Sequence, residues 1–112
     1  MSTQFFKTRE ETKAWLDEMG VTGYTIHDDL TVDVDGRADI SHKNITHIPV
    51  QFGTVSGSFY CQANRLTDLI GAPKKCYGFY CDNNEITSLA GGPEMGSLFY
   101  CHHNHLTNLL GA

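Results

Sequence analysis

The chain has 112 residues, enough for one domain with a modest core, and a formal net charge of −5. Hydrophobic residues at 40% against 19% charged exclude a wholly disordered chain. The charge is uneven: residues 1–39 hold nine acids against Lys7, Arg9, Lys13 and Arg37, whereas residues 40–112 hold four acids and four bases. A neutral second part offers no phosphate-binding face, so nucleic acid is not an expected partner.

The first residues lack the apolar run of a signal peptide, and no later stretch is apolar enough to span a membrane. A cytoplasmic setting with reduced Cys61, Cys76, Cys81 and Cys101 is therefore expected. Residues 8–19 predict a helix. Thr8 can N-cap it, with Glu11 completing a capping box. Trp15, Leu16 and Met19 give it an inward stripe, and Gly20 ends it. Residues 23–26 read as a short strand. Residues 30–34 alternate apolar and polar at period two, a second strand. Asp35-Gly36 then signals a hairpin, with residues 38–40 running back.

From here the chain repeats. Phe59-Tyr60-Cys61 precedes Asn64, Leu66, Thr67, Leu69, Gly71 and Pro73; Phe79-Tyr80-Cys81 precedes Asn84, Ile86, Thr87, Leu89, Gly91 and Pro93. Phe99-Tyr100-Cys101 precedes Asn104, Leu106, Thr107, Leu109 and Gly111, so the period is twenty residues. A degenerate version, Ile45-Thr46-x-Ile48, lies upstream, with either Lys43 or Asn44 in the asparagine position. These patterns predict an α/β-type repeat solenoid. A capping helix and β-hairpin at 1–36 would lead into a stack of about four units at 37–112, held by a parallel β-sheet. Alternation sends Phe59, Cys61, Phe79, Cys81, Phe99 and Cys101 inward. The three asparagines would satisfy backbone groups at the bends.

The template apolar-x-apolar-x-x-Asn-x-Leu-x-x-Leu resembles the leucine-rich repeat, in its short bacterial form. The wording Leu-Thr-x-Leu-x-Gly-Ala-Pro with Phe-Tyr-Cys-x-x-Asn, and the lead-in Ile48-Pro49-Val50-Gln51-Phe52-Gly53, are similar to repeat proteins encoded by tailed bacteriophages and some bacteria. The resemblance covers roughly residues 25–112, with few units and no C-terminal cap. It implies a non-enzymatic module that binds a macromolecule, extending to a phage protein that engages or inhibits a host factor in the host cytoplasm. The alternative is a structural or assembly protein acting through self-association.

Tyr60, Tyr80 and Tyr100 would form one outward column, a rigid patch of a residue type enriched at hot spots. The same column could equally serve only sheet pairing. Gln62, Asp82 and His102 form a flanking column and Arg65 and Glu85 part of another, completing the candidate protein-binding residues. Leu106, Leu109 and Leu110 would lie at an open end of the stack, so a homo-oligomer joined there is expected. The stacked cysteines read as small buried hydrophobes rather than a metal or redox site, and Cys76 as partly exposed. His102-His103-x-His105 reads as a surface cluster, with His103 facing away from His102. Asp33-x-Asp35-Gly36-x-x-Asp39 lacks the terminal ligands of a calcium loop. No catalytic motif, metal site or cofactor is expected.

Overall fold

The structure, a computed structural model, describes residues 5–88, 90–94 and 98–104. Helix α1 is Arg9–Met19. Thr8 Oγ1 accepts from the Glu11 N–H and donates to Glu11 Oε1, and Gly20, at φ 82°, closes the other end. Strands β1 (Tyr24–Ile26) and β2 (Thr31–Val34) pair antiparallel through a tight turn in which Leu30 adopts φ 70°. Strand β4 (Gln51–Val55) joins the other edge of β2 in parallel, giving a mixed three-stranded sheet. Strands β3 (Ala38–Asp39), β5 (Phe59–Tyr60), β6 (Gly78–Tyr80) and β7 (Leu98–Tyr100) form a second sheet, parallel throughout, in that order.

This architecture corrects the expected repeat solenoid. The molecule is a compact globule with extents of 36 × 29 × 24 Å, and its described residues form one helix, one mixed sheet and one parallel sheet. The reason lies in β4. The leucine-rich-repeat stack expected from the sequence puts one strand of each unit into a single parallel sheet. Here β4 falls between β3 and β5 in sequence but pairs with β2, so the chain alternates between sheets. Both sheets then close on one core, in which Trp15, Phe52, Phe59 and Phe79 form a chain of ring contacts 5.0–6.4 Å apart.

The Asp35-Gly36 hairpin is corrected as well. β2 and β3 do not pair; the chain crosses there from the mixed sheet to the parallel one. Gly36 sits at φ 112°, donates to Ser56 Oγ at 2.7 Å and accepts from the Gly57 N–H at 2.8 Å. A side chain on Gly57 would meet the Gly36 carbonyl at 2.9 Å, so this close approach of two backbones requires glycine.

Within the parallel sheet Phe59 aligns with Phe79 and Phe79 with Phe99, while Ala38 aligns with Phe59. The first step is twenty-one residues and the others twenty, which puts Lys43 opposite Asn64 and resolves the ambiguous asparagine position. Asn64, Asn84 and Asn104 tie neighbouring segments together. The Asn84 amide donates to the carbonyls of Cys61 (2.9 Å) and Cys81 (3.1 Å), and its oxygen accepts the Leu66 N–H at 3.0 Å. Asn104 repeats the pattern with Cys81, Cys101 and Ile86. Asn64 does so with Ile40 and Cys61, and accepts from Lys43 and Ile45. Each amide replaces water for backbone groups where the chain turns away from its strand.

Asn84→Ala should therefore leave the buried Leu66 N–H unpaired and remove one of the two amide donors from each of the Cys61 and Cys81 carbonyls. We expect a loss of about 1–3 kcal/mol by urea denaturation, against almost none for Glu85→Ala on the exposed surface.

Candidate protein-binding face

The outward surface of the parallel sheet follows from alternation along strands too short to tilt away from it. Phe59 and Phe79 are fully buried, and Tyr60 and Tyr80 are half-buried on the opposite side. The tyrosine rings stack nearly parallel, Tyr60 on Tyr80 and Tyr80 on Tyr100, each pair with centroids 4.8 Å apart. The Tyr80 hydroxyl is held above the ordinary tyrosine range by desolvation and by Tyr100 and Tyr60 on either side. At the other end of the column stands Asp39, aligned with Tyr60. It accepts from the Ser41 N–H at 3.0 Å and from Ser41 Oγ at 2.5 Å.

Beside the tyrosines run Gln62, Asp82 and His102. His102 Nε2 lies 3.6 Å from Asp82 Oδ2, which also accepts from Asn83 Nδ2 at 3.1 Å. Gln62 Oε1 is buried with no hydrogen-bond donor among the described residues. Arg65 and Glu85 meet at 3.5 Å. The structure brings the sequence-predicted binding residues other than Gln62 into three groups: the stacked tyrosines, His102 with Asp82, and Arg65 with Glu85. The expected joining residues Leu106, Leu109 and Leu110 lie outside the described residues, as does His105.

Three expectations change. Phe99 is 43% exposed rather than buried, because β7 has a neighbour on one side only among the described residues; its ring still lies 5.3 Å from Phe79. His103 does not face away from His102: the strand has ended at Tyr100, His103 takes φ 57°, and the two rings meet edge to face at 4.9 Å. Cys76 is buried, not partly exposed, and burial pushes its thiol up to about 11. Cys61 and Cys81 are fully buried; desolvation raises both, Cys81 to about 12. Among the described residues no group of three His, Cys, Asp or Glu side chains is placed to hold a metal ion. None of their helices is long and apolar enough to cross a membrane.

Sequence reasoning missed a polar cavity of about 290 Å³ beside the column. It is lined by Arg37, Asp39, Ser41 and Lys43 together with the turn after α1 at Met19, Gly20 and Thr22. The twenty-one-residue step hid it, since only the true register sets Asp39 beside Tyr60. An apolar groove of about 410 Å³ lies by Phe6, Trp15, Ile45 and Pro49.

Compared with family models, curated proteins and solved structures, the chain finds no match. The resemblance to leucine-rich repeat proteins accordingly rests on the motifs alone.

Cys81 should resist alkylation by iodoacetamide at pH 8, where its thiol is protonated and enclosed. Cys81→Ser should cost roughly 1–3 kcal/mol of stability by burying a hydroxyl without an assured acceptor. Labelling of Cys81 at the rate of a free thiol would contradict its enclosure.

Proposed function

We propose that this chain is a non-enzymatic protein-binding module whose recognition surface is the tyrosine face of the parallel sheet. The observation that carries this reading is the stack of Tyr60, Tyr80 and Tyr100 with rings 4.8 Å apart on an outward sheet face. Tyrosine combines apolar area with a polar tip and has few rotatable bonds, which is why it is enriched where proteins meet. The side chains around it differ from one strand to the next: Gln62, Asp82 and His102 on one side, Arg65 and Glu85 beyond. A constant anchor with a varied surround suits one particular partner. The motif resemblance, though not the solenoid that came with it, points to a bacterial host factor met by a bacteriophage protein.

Tyr60→Ala combined with Tyr80→Ala should weaken capture of the partner from a bacterial lysate by more than about 2 kcal/mol. Circular dichroism should be nearly unchanged. Undiminished capture by the double variant would move the surface elsewhere.

A second reading, self-association, is favoured by β7. Phe99 and Tyr100, at 43% and 41% exposure, stand on the outermost strand that the described residues give the parallel sheet, where a second chain could add its own strand. Light scattering at micromolar concentration should then give the mass of two chains. Phe99→Asp should return it to one, and Tyr60→Ala should not. A single-chain mass for the unaltered protein would reject this reading.

A further inference from the structure

We infer that the polar cavity at the Asp39 end of the tyrosine column is an anion pocket that takes an aspartate or glutamate side chain of the protein partner. The inference rests on the protein-binding reading and names what the face selects. Arg37, Asp39, Ser41 and Lys43 are spaced two apart, and all four line the cavity. The intervening Ala38 and Ile40 are fully buried. Since Asp39 aligns with Tyr60, the cavity opens on the same side as the tyrosines.

The charges on this side are unevenly satisfied. Asp82 is matched by His102 and Asn83, and Glu85 by Arg65. The Asp39 carboxylate is engaged by the hydroxyl and N–H of Ser41. In the N-terminal part Arg9 pairs with Asp28 and Lys13 with Asp17. Arg37 and Lys43 make no ion pair among the described residues, yet both line one cavity. With Asp39 the only carboxylate in the lining, two cations leave a net positive site on a chain of charge −5. Arg37 offers a planar fork and Lys43 a point charge, both groups that bind carboxylates. The stacked rings add to this preference. Tyr80, with both faces covered by Tyr60 and Tyr100, presents its edge, where the aromatic quadrupole is positive, and each ring presents a phenol donor. A phosphate polymer fits less well, because residues 40–112 hold four acids and four bases and offer no continuous basic stripe for a chain of phosphates.

The test uses acetylated, amidated hexaglutamate as the probe, titrated into the ¹⁵N-labelled full chain at low salt. Hexalysine and a single-stranded oligothymidylate run in parallel. Hexaglutamate should shift the amide resonances of Arg37, Asp39, Ser41 and Lys43 saturably, and hexalysine should not. R37Q combined with K43Q should weaken the response about tenfold or more, with the single variant K43E as a second check. If the two cations only neutralise the end of α1, the variants will lower the melting temperature and leave the titration unchanged, which overturns the inference. No saturation at these residues overturns it too, as does tighter binding of the oligothymidylate through the same two side chains. Failure here leaves the tyrosine test standing, since that is read on the captured partner. A tyrosine variant that keeps its partner while hexaglutamate still saturates the pocket places the fault with the tyrosine surface instead.

Discussion

The parallel sheet depends on three side-chain amides. Its strands are two or three residues long, too short to be held by their own ladder bonds. After each strand the chain bends at Ala63, Asn83 or His103, all at φ 57°, and backbone carbonyls are left facing the core. Asn64, Asn84 and Asn104 fill that vacancy, each joining its own segment to the preceding one. An amide supplies both a donor pair and an acceptor, which neither a hydroxyl nor a carboxylate can do at neutral pH. Everything on the outward face is placed by this internal tie. The tyrosines are aligned because the bends beneath them are locked at equal height.

What could be read in advance was what repeats and what is local. Thr8, Glu11 and Gly20 announced the helix because capping chemistry acts within a few residues. The inward phenylalanines and cysteines and the outward tyrosines followed from period-two alternation, with Phe99 lost only because an edge strand has half its cover. Strand partnership was another matter. Nothing in Gln51–Val55 distinguishes a strand that continues one sheet from a strand that joins β2. The choice is made by long-range packing of Phe52 between Trp15 and Phe59. The same blindness turned Asp35-Gly36, a crossing between sheets, into a hairpin. A left-handed glycine serves both geometries.

The face was legible in its repeating part and illegible at its end. Eight of its residues sit at fixed offsets within the period. Arg37, Asp39, Ser41 and Lys43 do not, because one extra residue between β3 and β5 shifts them off the template. Their neighbours at Met19, Gly20 and Thr22 come from the far side of the mixed sheet in sequence. A cavity built by two stretches of chain that share no sequence pattern is visible only in the folded chain. Its chemistry also runs against the average: overall charge describes the acidic helix and β1–β2 turn, not the surface that faces outward from the parallel sheet.

The stacking of Tyr60, Tyr80 and Tyr100 has a consequence for the cost of recognition. A lone exposed tyrosine samples several side-chain rotamers and must give them up when a partner settles on it. Rings held 4.8 Å apart in a stack have already surrendered most of that freedom during folding. The entropy was spent against the core's hydrophobic gain, leaving little to lose on contact. Such a ridge meets its partner as a rigid edge, so shape decides affinity more than adaptation does.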